Sequence, residues 1–147
     1  MRAKTWVEIN AESYKNNIQA IRSLLDPEVA FCSVVKANAY GHGLEQITKI
    51  ALQNNVEHFA VDSIDEAQEL RALAPDATIF ILGYTVEDRI TDVVALGCVQ
   101  TVYDERTVGL LGAEALKQQR QAYVNVKIET GTQRQGVLER DFKHLLA

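Results

Sequence analysis

Residues 59–82 read FAVDSIDEAQELRALAPDATIFIL and contain one complete strand–helix–strand unit. The first three residues form an apolar run that predicts a buried strand, and residues 66–73 have the apolar spacing of an amphipathic helix. Asp62 or Ser63 is placed to cap that helix through a side-chain oxygen. A second apolar run, at residues 78–82, predicts the next strand. Two apolar strands joined by a covering helix predict parallel pairing.

The same alternation continues on both sides of this unit. Strands are predicted at residues 30–35, 99–102 and 123–128, and helices at residues 14–25, 44–52, 86–96 and 105–119 and from about residue 139. Apolar strands alternating with amphipathic helices are typical of α/β folds, either a doubly wound sheet or a β/α barrel. About five βα units are too few to close a barrel, which needs eight. We therefore expect the chain to be part of a longer sequence.

Composition limits the classes of partner. The 147 residues include 15 basic and 20 acidic residues, a formal charge of −5, and 47% are hydrophobic. A mildly acidic chain with no basic run does not favour nucleic acid or an anionic membrane as partner. No apolar stretch reaches the roughly 18 residues of a membrane helix, and the N-terminus lacks the features of a secretory signal.

The cysteines and histidines predict neither a disulfide nor a metal centre. Cys32 and Cys98 lie in apolar runs, where buried free thiols in a reducing cytosol are the expected state. His58 and His144 have no companions at metal-ligand spacing, so no metal site is expected. Together these features indicate a cytoplasmic protein.

The segment with the clearest chemistry is SVVKANAYGHG, residues 33–43. Lys36 stands at the C-terminal end of a predicted strand, which is the end where β/α folds bind ligands. Apolar neighbours at this position predict partial desolvation, which lowers the pKa of a lysine and frees its amine as a nucleophile. Tyr40 offers a hydroxyl near the same mouth. The alternative is a strand-end lysine that extends its ammonium into water before a turn.

This segment resembles a known family. VVKANAYGHG, residues 34–43, is similar to the cofactor-lysine motif of alanine racemases. The resemblance implies that Lys36 forms the internal aldimine with pyridoxal 5'-phosphate and acts as one of two acid/base groups. It also implies that Tyr40 contacts the cofactor phosphate. His42, between two glycines, is predicted to be a structural turn residue.

A second segment, VKIETGTQRQG at residues 126–136, resembles the K-[LV]-D-T-G-M-x-R-x-G stretch of the same family. The resemblance implies that Arg134 approaches the cofactor's phenolic oxygen and binds the substrate carboxylate. A guanidinium suits both tasks because it stays charged and binds planar oxygens in a fork. Lys127 occupies the place of a lysine that is carbamylated in many members and positions this arginine. Taken alone, Lys127 and Arg134 would be interpreted as a solvated charge pair near a turn, and it is the second motif in register that favours the functional interpretation.

Three residues depart from the commoner pattern of this second stretch: Glu129 replaces aspartate, Thr132 replaces methionine and Gln135 replaces leucine. Because they lie beside Arg134, they leave the amino-acid substrate open among alanine, serine and a broader set.

The resemblance implies a β/α (TIM-type) barrel, incomplete in this chain. Residues 11–147 would be the N-terminal portion of the cofactor-binding barrel, residues 1–10 would include a strand of a second β domain, and the C-terminal half would be absent. The implied function is an alanine racemase, which interconverts L-alanine and D-alanine by a two-base mechanism and supplies D-alanine for peptidoglycan. A homodimer is implied, with the second base outside this chain, so the 147 residues alone are expected to be inactive.

Three rival interpretations remain. A pyridoxal-phosphate carrier on the same barrel would lack the AYGHG extension, and a decarboxylase of this cofactor class would share VKAN but not the second stretch. The third is a structural or partner-binding α/β domain with an accidental lysine at position 36.

Overall fold

A computed structural model describes residues 4–145. The strands are β1 (Cys32–Val34), β2 (His58–Val61), β3 (Thr78–Ile81), β4 (Val99–Val102) and β5 (Tyr123–Val126). The helical segments are α1 (Ala11–Arg22), α2 (Lys36–Tyr40), α3 (Leu44–Gln53), α4 (Ile64–Leu73), α5 (Ile90–Ala95), α6 (Glu105–Gln118) and α7 (Phe142–Leu145), with 3-10 turns at Glu87–Arg89 and Glu139–Asp141.

The sheet has the strand order of a barrel. All five strands pair in parallel, in the order β1-β2-β3-β4-β5, so each connection advances by one strand in the same direction. A doubly wound sheet would reverse its order at a switch point. The sequential order therefore confirms the β/α barrel over the doubly wound alternative, with the sheet open between β1 and β5.

Side-chain caps explain where the main helices begin. The hydroxyl of Ser63 accepts the backbone N–H of Glu66, whose carboxylate accepts the N–H of Ser63 in return, a capping box at α4. Asn10 caps α1 and Asp104 caps α6 through a side-chain oxygen that accepts a backbone N–H, without the reciprocal bond. The sequence predicted either Asp62 or Ser63 as the cap of α4, and the structure shows that it is Ser63. Asp62 has a different role.

The core lies between the sheet and its helices. Phe59 and Ile79, on neighbouring strands, and Leu70 of α4 are completely buried. Each such side chain contributes about 1.5–3 kcal/mol relative to an exposed position. This packing holds the carboxyl ends of the central strands in one rigid row.

The two edge strands are more exposed than the centre. Val34 of β1 is 42% exposed and Tyr123 of β5 is 50% exposed. Cys32 on β1 is also exposed, so the prediction of a buried thiol is wrong there and confirmed only for Cys98, and both thiols are free. The reason is position, since an edge strand lacks a neighbour on one side.

Some element bounds differ from the prediction. The helix predicted to reach residue 25 ends at Arg22, because the next residues form tight turns and the Arg22 guanidinium donates to the carbonyls of Asn54 and Asn55. The helix predicted at residues 86–96 is a 3-10 turn followed by the shorter α5.

The N-terminal strand prediction is untested. Residues 4–10 have no strand, and residues 1–3 of that predicted strand lie outside the described residues, as do residues 146–147 of the barrel portion. Membership of a second β domain stays a prediction. Within residues 4–145, every helix is too short or too polar to cross a bilayer.

Candidate active site

The carboxyl ends of all five strands border one cleft of about 510 Å³. Small-molecule sites commonly have about 300–1,000 Å³. The lining residues are Lys36, Asp62, Leu82, Gly83, Tyr84, Thr101, Asn125, Lys127, Arg134 and Gln135. This cleft brings together three of the residues predicted from the two motifs, Lys36, Lys127 and Arg134.

The charges of the cleft are unbalanced. Lys36, Lys127 and Arg134 are basic, and Asp62 is the one acid among the lining residues. Three cations against one anion favour an anionic ligand, because opposite charges attract strongly where water is partly excluded.

Lys36 forms an ion pair that the sequence analysis missed. Its Nζ donates to Oδ1 of Asp62 at 3.0 Å. The hydrogen bond and the negative charge of Asp62 raise the pKa of Lys36, and they outweigh the lowering effect of desolvation. The predicted lowering of this pKa is therefore wrong, because the neighbouring strand supplies a carboxylate.

The backbone after Lys36 is left-handed. Ala37, Asn38, Ala39 and Tyr40 have φ between 52° and 55°, so α2 is one left-handed turn. Such a turn costs about 1–2 kcal/mol per residue for L-amino acids. Strain of this kind persists only where the surroundings impose it, and it clusters at functional sites.

Hydrogen bonds and burial impose this turn. The backbone N–H of Gly43 donates to the carbonyl of Asn38 at 3.0 Å, and Oδ1 of Asn38 accepts the N–H of Leu44 at 2.7 Å. Nδ1 of His42 lies 2.8 Å from the carbonyl oxygen of Ala39, and Ala39 itself is buried. His42 thus holds the turn, in agreement with its predicted structural role.

Glu66 connects the Lys36 turn to the end of β2. Its Oε1 accepts the N–H of Ala37 at 2.6 Å, and its Oε2 accepts the N–H of Asp62 at 2.8 Å. One carboxylate therefore braces the residue after Lys36 and the residue that pairs with Lys36. Glu66 begins the helix predicted at residues 66–73, but no local signal indicated its bond to Ala37.

Tyr40 lies at the rim of the site. It is 61% exposed and is not among the residues that line the cleft. Its charge nevertheless contributes to raising the pKa of Lys36, so the two side chains are near each other. The structure thus places Tyr40 near Lys36 but outside the cleft lining.

Arg134 reaches the cleft from the loop after β5. Glu129 organises this loop, since its carboxylate accepts the N–H of Gly131 at 2.5 Å. Backbone N–H groups of Gln133 and Gly131 lower the pKa of Glu129. The charge of Arg134 acts to lower the pKa of Lys36, opposite to the effect of Asp62.

The same loop closes back onto its own start. Ile128 and Val137 form an isolated parallel bridge, and Lys127 accepts the N–H of Val137 at 2.8 Å through its carbonyl. Gly136 has φ 143°, and a Cβ there would lie 2.6 Å from the backbone nitrogen of Glu129. Glycine is therefore required at the point where the chain passes Glu129.

Buried amide and hydroxyl groups form the floor near β3 and β4. Gln100 is completely buried, its Oε1 accepts the Thr85 hydroxyl at 2.7 Å, and its Nε2 donates to the Gly83 carbonyl at 2.9 Å. This network fixes the loop after β3 that carries Tyr84. It could not be found from sequence, since a lone glutamine in an apolar strand has no distinctive spacing.

Comparison with known proteins identifies relatives of this arrangement. The sequence profile of the family described as "Alanine racemase, N-terminal domain" matches residues 9–147. An alanine racemase from Methanococcus maripaludis is 36% identical over 133 residues, which are 90% of this chain and 36% of that protein. A solved alanine racemase from Clostridium difficile 630 superposes with a TM-score of 0.92 at 31% identity, covering 99% of this chain and 39% of that one.

A more distant structure shares the fold alone. The alanine racemase from Bartonella henselae, solved with covalently bound pyridoxal phosphate, has a TM-score of 0.83 at 24% identity, over 94% of this chain and 40% of that one. The chain spans 35% to 38% of the length of the curated relatives it matches.

Proposed function

We propose that this chain, which belongs to the alanine racemase N-terminal domain family, supplies the cofactor-binding lysine of a pyridoxal-phosphate-dependent alanine racemase. One observation carries the proposal. Lys36 and Arg134, the basic residues of two separate motifs, line the same cleft although they are far apart in sequence. An accidental strand-end lysine would not require an arginine from the fifth strand's loop in the same cleft.

The residues of the cleft fit pyridoxal phosphate. Lys36 offers a primary amine for the cofactor aldehyde, and Arg134 and Lys127 offer positive charge for its anionic groups. Thr101 and Asn125 add hydroxyl and amide groups to the wall. The cleft volume is within the range of small-molecule sites.

Lys36, Arg134 and Glu66 have separate tasks in this proposal. Bound pyridoxal phosphate supplies a place for the electron pair of the broken Cα–H bond. Lys36 holds and moves a proton at Nζ, on one face of the substrate α-carbon. Arg134 orients the substrate carboxylate through paired N–H groups. The left-handed turn and Glu66 fix the direction from which Lys36 approaches.

Two further assignments come from the motifs. Tyr40 lies at the rim beside Lys36 and is proposed as a contact for the cofactor phosphate. Lys127 lines the cleft together with Arg134 and is proposed to position it, with or without carbamylation.

Racemisation requires a proton donor on the opposite face of the α-carbon as well. We assign that base to residues outside this chain, contributed by the partner subunit of a homodimer. The whole protein would convert L-alanine to D-alanine in the cytoplasm for peptidoglycan synthesis.

Borohydride trapping tests the attachment site. The purified protein is mixed with pyridoxal phosphate, reduced, digested and mapped by mass spectrometry. We expect label confined to Lys36 and lost in Lys36→Ala. The matched control is Lys49→Ala, which removes an exposed lysine paired with Glu45 on α3 and should leave the label unchanged. Label spread over several lysines would contradict the proposal.

Product analysis tests the reaction itself. Incubation of the whole protein, which includes the second base, with L-alanine should yield D-alanine and no carbon dioxide, whereas a decarboxylase would release carbon dioxide and a carrier would release neither product. A panel that includes serine is needed because Gln135, one of the departures from the family pattern, lines the cleft. Faster turnover of another amino acid would keep the enzyme class and change the substrate.

A further inference from the structure

We propose that Asp62 is a positioning residue that holds the free Lys36 side chain as an ammonium ion over the cleft and so controls when this amine becomes a nucleophile. The inference rests on the proposed function of Lys36. Asp62 stands outside both sequence motifs, and it is the sole acid of the cleft lining.

The pairing is built into the sheet. β1 pairs with β2 at a constant offset, Cys32 with His58 and Val34 with Ala60, so continuation of the register brings position 36 opposite position 62. The ion pair joins residues 26 positions apart at a Nζ–Oδ1 distance of 3.0 Å. The contact therefore follows from strand register and not from a chance side-chain conformation.

The backbone of Asp62 is held on both sides. Its N–H donates to Glu66 at 2.8 Å, and its carbonyl accepts the N–H of Gly83 at 3.0 Å. A Cβ on Gly83 would lie 2.5 Å from that carbonyl oxygen and 3.1 Å from Oδ2 of Asp62. Glycine at position 83 thus leaves the space in which the Asp62 carboxylate sits.

The other charged groups around Lys36 do not replace Asp62. Arg134 and Lys127, from the β5 side, are cations and disfavour a second positive charge. Tyr40 and Tyr84 are the phenols at the rim and wall. Both carboxylate oxygens of Glu66 accept backbone N–H groups. Among residues 4–145, Lys36 forms one ion pair, with Asp62. Asp62 is therefore the group whose charge decides the protonation of Nζ.

The chemical consequence has a definite sign. To capture an aldehyde, the Nζ ammonium must first lose one proton to solvent. Its lone pair then forms the C–N bond, and the carbonyl oxygen takes up the two remaining N–H protons and leaves as water. Asp62 stabilises the ammonium form, in agreement with its raising of the Lys36 pKa. Removing the negative charge at position 62 should make Nζ nucleophilic at lower pH.

Competitive labelling measures the pH at which the Lys36 amine becomes nucleophilic, without cofactor. The protein is treated with trace acetic anhydride from about pH 7 to about pH 11, and acetylation of Lys36 is followed by mass spectrometry against that of the partly exposed Lys15. In Asp62→Asn we expect the midpoint of the Lys36 profile to fall by about one unit or more. Asp65→Asn is the matched control, because that carboxylate pairs with Arg89 and should leave the profile unchanged.

A conservative variant separates charge from folding. Asp62→Glu keeps the carboxylate and should restore most of the profile, while Asp62→Asn should show an unchanged circular dichroism spectrum. If Asp62→Asn and the parent protein give the same Lys36 profile, the inference is overturned. The same holds if Asp62→Glu behaves as Asp62→Asn does.

Cofactor capture provides the second readout. At neutral pH, Asp62→Asn should take up pyridoxal phosphate at Lys36 several times faster, up to about tenfold for a one-unit shift. If Lys36 never captures pyridoxal phosphate while its labelling profile still shifts in Asp62→Asn, the proposed function fails and the role of Asp62 stands. If capture occurs but the profile does not shift, the role of Asp62 fails and the proposed function stands.

Discussion

The Lys36 turn, residues 36–43, and the Arg134 loop, residues 127–136, occupy equivalent places at opposite edges of the sheet but are held in different ways. The first follows β1 and is braced from outside by Glu66 of the next unit. The second follows β5 and is held by its own residues, chiefly the Glu129 carboxylate. The difference indicates that the Lys36 amine is held by the packed βα units, whereas the Arg134 guanidinium is held only by the loop that carries it.

The largest effects are expected when the functional side chain of each region, Lys36 or Arg134, is removed. Lys36→Ala removes the attachment point and one proton-transfer group, so racemisation should fall by about 10²–10⁴-fold. Arg134→Ala removes charged hydrogen bonds worth about 1.5–3 kcal/mol, a loss of roughly 10- to 150-fold. Steady-state rates of D-alanine formation by the whole protein, which includes the second base, measure both. Equal losses in the two variants would contradict the assignment of attachment and proton transfer to Lys36 and of carboxylate binding to Arg134.

The next largest effects are expected from truncation of Glu66 or Glu129, because each carboxylate accepts the backbone hydrogen bonds that hold one of the two regions. Glu66→Ala breaks the capping box and the bonds to Ala37 and Asp62, and should lower the free energy of unfolding by about 1–3 kcal/mol. Glu129→Ala should leave global stability nearly unchanged and weaken substrate binding through Arg134. Urea unfolding followed by circular dichroism separates them. A large stability loss in Glu129→Ala would show that the edge loop is part of the core structure.

Glycine substitutions compare the strain of the two regions. Gly136→Ala places a methyl group 2.6 Å from the Glu129 nitrogen at positive φ, so it should cost about 1–3 kcal/mol. Gly41→Ala also has positive φ but has open space around its Cβ, so only the conformational cost of about 1–2 kcal/mol applies. The midpoint of thermal unfolding ranks them. A lower unfolding midpoint in Gly41→Ala than in Gly136→Ala would mean that the close contact with Glu129 does not set the cost.

The smallest effect concerns pH at the edge loop. Backbone N–H groups lower the pKa of Glu129 below its ordinary 4.5. The ionised carboxylate therefore stabilises the folded loop fully at pH values above the pKa that Glu129 has in the unfolded chain. This contribution is lost as the pH falls through the lowered folded-state value. The protection of the Gly131 amide from hydrogen exchange, measured against the intrinsic rate at the same pH, should therefore fall at acidic pH in the parent protein. In Glu129→Gln that step should be absent, and its persistence would assign it to another group.

Much of the fold was predictable because its signals are local. Continuous apolar strands, helix caps and helical spacing each depend on residues within a few positions of one another. The strand at 99–102 and the helix beginning at Glu105 have the bounds that the apolar pattern predicts. The left-handed turn at Lys36–Tyr40 was not predictable, because no run of Ala, Asn and Tyr prefers positive φ.

The same division applies to the candidate site. By itself, the sequence determined the alternating βα order, the two motifs, the position of Lys36 at a strand end and that of Arg134 in the stretch that follows the fifth strand. Only the tertiary structure decided that the motifs face one cleft, that Asp62 pairs with Lys36, and that the Lys36 pKa is raised and not lowered. The physical reason is range: propensity and periodicity act between neighbours in sequence, whereas charge and register act between neighbours in space.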